Sequence, residues 1–78
     1  MNGVYRDEDH NLIIDGRYLV SRGPNCFCVW VGYCAGDMFY PDVDNYHEIV
    51  PCLPIDEFEP LVENAHQIAD LVRRAMRI

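Results

Sequence analysis

The sequence predicts an α+β fold, in which a small antiparallel β-sheet of three or four strands, arranged as a meander, packs against one C-terminal α-helix. Two apolar runs flank the turn-forming pair Asp15-Gly16, residues 26–34 alternate like a strand, and the segment after residue 60 has helical periodicity. A chain of 78 residues cannot supply two hydrophobic cores, so residues 1–78 are expected to form a single small domain.

The first predicted strand pair lies in the segment NLIIDGRYLV. Asp15 and Gly16 suit the positive φ angles of a two-residue type I′ turn. Such a turn would place Ile13 opposite Tyr18 and Leu12 opposite Leu19. This register predicts two faces, one with Leu12, Ile14 and Leu19, and the other with Ile13, Tyr18 and Val20.

The next predicted strand is CFCVWVGYC, residues 26–34, which follows the Gly-Pro break in SRGPN. The period of two in a strand divides its side chains between two faces. One face receives Phe27, Val29, Val31 and Tyr33, and the other receives Cys26, Cys28, Trp30, Gly32 and Cys34. A turn at 35–37 then leads into a short strand, MFY, and residues 41–54 are predicted to be a long acidic connection with at most a short edge strand near Ile49 and Val50.

The C-terminal segment predicts an amphipathic helix, because apolar residues recur at 61, 65, 68, 72 and 75. Acidic residues and Pro60 are placed at its start, Arg73, Arg74 and Arg77 at its end, and Asp70 one turn before Arg74. The apolar arc covers about 180°, more than one sheet needs. A homodimer, or a hairpin folded over the helix, could cover the surplus.

The charge distribution restricts the class of partner. The net charge is −7, and all six basic residues are arginines near the two ends of the chain. Between Arg22 and Arg73 all the charged residues are acidic. Their negative potential repels phosphate backbones, so direct nucleic-acid binding is not expected, and it favours a basic protein partner. The chain has no apolar stretch long enough for a membrane span and no signal-like N-terminus, which predicts a cytoplasmic protein.

Four cysteines raise the question of a metal or redox site. Thiols in the cytoplasm stay reduced, and the spacing of Cys26, Cys28, Cys34 and Cys52 differs from that of zinc knuckles. The preferred interpretation is that the cysteines fill a buried sheet face, with no cofactor and no metal. Because His10, His47 and His66 have no evident catalytic partners, an enzyme is not expected. The alternative is a cysteine-based metal or redox protein that uses Cys26, Cys28 and Cys52.

The segment DMFYPDVDNYHE interleaves aromatic residues with carboxylates, a combination typical of protein interfaces. It predicts a non-enzymatic module that docks on a basic, nucleic-acid-binding surface of a partner as an inhibitor or regulator. Small phage anti-CRISPR and anti-restriction proteins act in this way, and the likeness is one of charge and size, without a family motif. A third alternative is a structural subunit of a larger assembly. The predicted partner-binding residues are Asp37, Phe39, Tyr40, Asp42, Asp44, Tyr46, Glu48, Asp56, Glu57 and Glu59.

Overall fold

The computed structural model describes residues 3–52, 54, 57–58 and 63–77. Its elements are β1 (Val4–Arg6), β2 (Leu12–Ile14), β3 (Tyr18–Arg22), β4 (Phe27–Ala35), β5 (Met38–Ile49) and α1 (Ala65–Met76). The strands form one sheet in the order β1-β2-β3-β4-β5 with every neighbour antiparallel, so the α+β meander is confirmed. The sheet has five strands and not three or four. β1 is only three residues long, too short to give a recognisable alternation.

The β2–β3 hairpin differs from its predicted register by one residue. Leu12 pairs with Val20, Ile13 with Leu19 and Ile14 with Tyr18. Asp15 and Gly16 do have positive φ angles of 57° and 63°, but Arg17 is an additional loop residue whose carbonyl accepts a hydrogen bond from Gly32 N. The extra residue turns Val20 into the core and Leu19 away from it, so the predicted grouping of these side chains was wrong.

The hydrophobic core lies between α1 and one face of the sheet, called here the covered face. Its side chains are at most 1% exposed: Leu12, Ile14, Val20, Phe27 and Val29 from the sheet, and Ile68, Ala69 and Val72 from the helix. Phe58 adds an edge-to-face contact with Phe27, with ring centroids 5.7 Å apart. The alternation predicted for β4 is confirmed on this face, because Phe27 and Val29 are buried beneath the helix.

The helix begins later than the sequence predicts. Residues 63 and 64 form a turn, Asn64 is the N-cap, and the first helical turn contains no acidic residue. Glu57 lies well before the helix, while the predicted first-turn Pro60 is outside the described residues. The C-terminal end agrees better, because Arg73 and Arg74 occupy the last turn. Charged side chains within the helix therefore complement its dipole only at the C-terminal end.

One ion pair joins the helix to the β2–β3 turn. The Arg73 guanidinium donates to both carboxylate oxygens of Asp15, at 2.9 and 2.8 Å, and to Asp70 at 3.3 Å, where Arg74 had been expected as the partner of Asp70. Asp15 also accepts a hydrogen bond from Gly3 N at 3.0 Å. The bonds from Arg73 and then Gly3 lower the pKa of Asp15 to about 2, because they favour its ionised form.

β5 replaces the long acidic connection that the sequence predicted at 41–54. It is twelve residues long and pairs with β4 at both of its ends. Between the pairs Trp30–Tyr46 and Gly32–Pro41, the single residue Val31 faces residues 42–45 of β5, a segment called here the bulge. Within it, Asp44 N donates to Asp42 Oδ1 at 3.1 Å. Proline and acidic residues are poor strand formers, and on this edge strand Pro41 lies next to the bulge while Asp42 and Asp44 lie within it.

The helix of the described chain does not have the length or hydropathy needed to cross a membrane.

Candidate functional site

The face of the sheet opposite α1, called here the open face, carries a row of large side chains in direct cross-strand register. The row contains one residue from each strand: Tyr5, Ile13, Leu19, Trp30 and Tyr46. Trp30 and Tyr46 are in contact at its β5 end, with ring centroids 4.8 Å apart. Tyr5 and Tyr46 remain about 40% and 39% exposed, so the row offers aromatic surface to a partner.

One end of this row forms the floor of a groove with a volume of about 510 Å³. One wall is β1 with the loop that follows it, and the other is the tip of the β4–β5 hairpin. The lining residues are Tyr5, Arg6, Asp7, Glu8, Asp9, Ile13, Leu19, Asp37, Met38 and Phe39. We call this feature the acidic groove.

The hairpin tip reaches the groove because β4 and β5 bend over the open face. The hydroxyl of Tyr5 and the thiol of Cys34 are 3.2 Å apart, although β2 and β3 separate their strands in the sheet. Gly32 lies at the bend, next to the register shift. A Cβ at Gly32 would collide with the carbonyl oxygen of Tyr40 and come within 2.9 Å of the Phe39 ring, so glycine is needed for this close approach.

The rim of the groove is strongly acidic, with four carboxylates and the single guanidinium of Arg6. Asp7 organises the rim, since its Oδ1 accepts hydrogen bonds from the backbone N–H groups of Asp9 and Asn11 at 2.9 and 2.8 Å. The side chains of Glu8, Asp9 and Asp37 are exposed. The pKa of Tyr5 is raised, first by its hydrogen bond with Cys34, then by burial and by electrostatic interaction with Cys34 and Asp37. The groove is therefore a site of negative potential above an apolar floor.

The predicted partner-binding residues lie in several separate parts of the structure. Asp37 and Phe39 line the acidic groove. Tyr40 stacks on Tyr33, with centroids 5.5 Å apart, on the other side of the hairpin. Asp42 and Asp44 are exposed in the bulge, Tyr46 and Glu48 belong to the open face, and Glu57 is exposed. Asp56 and Glu59 lie outside the described residues.

Tyr46 and Glu48 form a small polar cluster with Cys28 on the open face. The Tyr46 hydroxyl donates to Glu48 Oε1 at 3.1 Å, and Glu48 pairs with Cys28 across the strands. Hydrogen bonding to Cys28, burial, and hydrogen bonding to Glu48 all raise the pKa of Tyr46. Tyr46 is thus held as a neutral phenol whose ring can anchor an apolar contact while its hydroxyl proton is donated to Glu48.

Sequence reasoning missed the acidic loop Asp7–Asp9 and the neighbouring Tyr5 as parts of a site. The available signal was the run RDED next to a tyrosine. Its position opposite the hairpin tip depends on the bend at Gly32, which local sequence does not specify. The site therefore combines two segments that are distant along the chain.

Of the four cysteines only Cys26 is buried, so the expectation that they fill a buried sheet face is wrong for the other three. Cys26 is 9% exposed, Cys28 and Cys34 are partly exposed, and Cys52 is exposed. The alternation of β4 places Cys28 and Cys34 on the open face, whereas α1 packs on the covered face. All four thiols are free.

In the described part of the chain, no three His, Cys, Asp or Glu side chains converge as a metal-binding group would require. His10 and His66 are exposed, and His47 Nε2 lies 2.7 Å from Asn45 Oδ1 in the bulge. None of the three histidines lines the acidic groove. The side chains of the groove are suited to binding through charge and apolar contact.

Comparison with known proteins gives no match to this chain among family models, curated proteins or solved structures.

Proposed function

We propose that this protein is a non-enzymatic binding module that engages a basic protein through the acidic groove. The observation that supports this function is the combination of an apolar, partly aromatic floor with a rim of four carboxylates and one guanidinium. Interfaces are commonly built from aromatic anchors surrounded by polar groups. An acidic rim adds electrostatic steering toward a basic partner.

An arginine or lysine side chain of the partner matches the groove chemically. Its aliphatic stem can lie against Ile13 and Leu19, and its cationic group can approach the Tyr5 ring and the carboxylate of Asp37. A surface rich in such side chains is typical of proteins that bind nucleic acid. We therefore propose that the module acts as an inhibitor or regulator, as small acidic anti-CRISPR and anti-restriction proteins do, by occupying a surface that otherwise contacts phosphates.

The bulge on β5 provides a second acidic element for this role. Asp42 and Asp44 are exposed there, and the Asp42 carboxylate fixes the local turn through its bond with Asp44 N. In this proposal the bulge contributes long-range attraction, which salt screens over about 10 Å at 0.1 M ionic strength. The acidic groove supplies the short-range contacts.

A pair of matched double variants tests the proposal. Glu8→Lys with Asp37→Lys reverses two exposed charges of the groove, and Glu57→Lys with Glu63→Lys reverses two exposed charges outside it. Both doubles change the net charge by the same amount. A basic partner captured from the native cell is then titrated with each protein over a salt series.

We expect the groove double to weaken binding by roughly tenfold or more and to flatten the salt dependence, because like charges meet across the interface. The control double should change the affinity only slightly. Equal losses in both doubles would mean that net charge alone governs binding, and unchanged binding by the groove double would remove the groove from the interface.

A further inference from the structure

The loop between β3 and β4 brings two thiols together over a glycine. Gly23 N donates to the carbonyl of Cys26 at 2.7 Å, so Gly23 and Cys26 face each other across the turn made by Pro24 and Asn25. A Cβ at Gly23 would lie 2.9 Å from Cys26 Sγ and 3.2 Å from Cys28 Sγ. Both sulfurs therefore converge on the space that the missing side chain of Gly23 leaves open.

The two sulfurs lie close to one common point, the Cβ position at Gly23, and they differ in burial. The pKa of Cys26 is raised, first by burial and then by a hydrogen bond with Cys28, and the charge of Glu48 adds to the effect. Cys26 is nearly buried and Cys28 is partly exposed. A small ion can therefore reach the pair from the solvent side of Cys28 and be shielded on the side of Cys26.

The number and type of ligand atoms determine which metal ion this pair of cysteines can bind. Structural zinc requires four ligands, and no third His, Cys, Asp or Glu among the described residues joins this pair. Hard cations prefer oxygen ligands. Soft thiolates select Cu(I), a monovalent ion that two sulfur ligands can satisfy.

We infer that Cys26 and Cys28 form a two-thiolate site for one Cu(I) ion. Binding forms two copper–sulfur bonds and releases the two thiol protons to solvent, with no change in the oxidation state of the metal or the sulfurs. The site is separate from the acidic groove, whose lining includes neither cysteine. It does not depend on the proposed partner.

The test is an anaerobic titration with Cu(I) in the presence of bathocuproine disulfonate, whose coloured copper complex reports the metal that the protein has not taken. The wild-type protein should remove one equivalent of Cu(I) per chain. Cys26→Ser and Cys28→Ser should each weaken binding by at least about tenfold, since one thiolate is lost from a two-ligand site. The matched control, Cys34→Ser with Cys52→Ser, should bind as the wild type does.

A second variant tests the geometry without changing a ligand. Gly23→Ala places a methyl group where the sulfurs converge, so it should weaken Cu(I) binding while both thiols remain. Circular dichroism of each variant establishes that the fold is retained. Unchanged binding in Cys26→Ser or Cys28→Ser, or loss of binding in the Cys34 and Cys52 control, would overturn the inference.

Discussion

The two faces of the sheet are built on different principles. On the covered face, side chains from the sheet and helix are almost completely buried, and the contact with α1 supplies the hydrophobic stabilisation. On the open face, aromatic residues are half exposed and carboxylates surround a groove that is held in shape by the bend at Gly32. Within the described residues, α1 packs on one face of the sheet, and the other face keeps exposed aromatic and acidic side chains.

The largest expected effect is a difference in lost stability between alanine substitutions of two aromatic residues of β4, one on each face of the sheet. Phe27 is 1% exposed on the covered face, whereas Trp30 is half-buried on the open face. Phe27→Ala should cost about 3–5 kcal/mol, comparable to the whole stability of a domain this small, and leave the chain largely unfolded. Trp30→Ala should cost about 1–2 kcal/mol. Urea denaturation followed by circular dichroism measures both.

An equal cost for the two substitutions would break the comparison, because it would mean that the open face is also covered in solution. In that case the stability of the wild-type protein should depend on its concentration.

The next effect concerns the backbone that shapes the groove. Gly32→Ala should cost roughly 1–3 kcal/mol, since its Cβ collides with Tyr40 and approaches Phe39. Gly36→Ala has open space around it but a φ of 63°, and should cost about 1 kcal/mol from backbone strain alone. Thermal unfolding compares the two. A negligible cost for Gly32→Ala would show that the hairpin does not need its close bend.

Asp15→Asn probes the ion pair that fastens the helix to the covered face. Asparagine tolerates the positive φ of 57° at this position, so the substitution removes the charge and spares the turn. Because both side chains are partly exposed, we expect a loss of about 1 kcal/mol at neutral pH.

The pH dependence sharpens this prediction. Folding lowers the pKa of Asp15 from 3.8 to about 2, so its stabilising effect is complete above about pH 5, declines as the pH falls through 3.8 and is lost below about pH 2. The difference in unfolding free energy between wild type and Asp15→Asn should therefore shrink across this window. A difference that stays constant to pH 2 would contradict the role of the ionised carboxylate.

The smallest expected effect is that of Tyr5→Phe on the open face. The substitution removes the hydroxyl that lies 3.2 Å from Cys34 Sγ and keeps the ring on the floor of the groove. An exposed hydrogen bond of this kind should be worth about 0.5 kcal/mol or less in urea denaturation. A loss above about 1 kcal/mol would mean that this bond, and not the bend at Gly32, holds the hairpin tip over the open face.

Prediction from the sequence succeeded where local patterns decide the structure. The alternation of β4, the helical periodicity around Ile68 and Val72, and the hairpin at Asp15-Gly16 all correspond to elements of the fold. It failed where neighbouring strands override local preference. Pro41, Asp42 and Asp44 oppose strand formation, yet β4 provides a partner that draws them into β5 and its bulge.

The site was harder to predict than the fold. Asp37 and Phe39 were identified from the mixture of aromatic and acidic residues, and both line the acidic groove. Glu8, Asp9 and Tyr5 were not identified, because their proximity to the hairpin tip requires a bend between segments about thirty residues apart. The register of the β2–β3 hairpin also depends on one extra loop residue, Arg17, which the Asp-Gly signal does not reveal.

The bulge interrupts the regular strand geometry of β5, and this limits how a second copy of the chain could pair with it. An incoming strand could pair only with the short stretches 38–41 and 46–49 on either side of the bulge, and β1, at the opposite edge, offers three residues. Neither edge is a long template of unpaired backbone groups of the kind that nucleates fibres. Concentrated protein should thus resist cross-β growth, because strand pairing between copies would be limited to these short stretches.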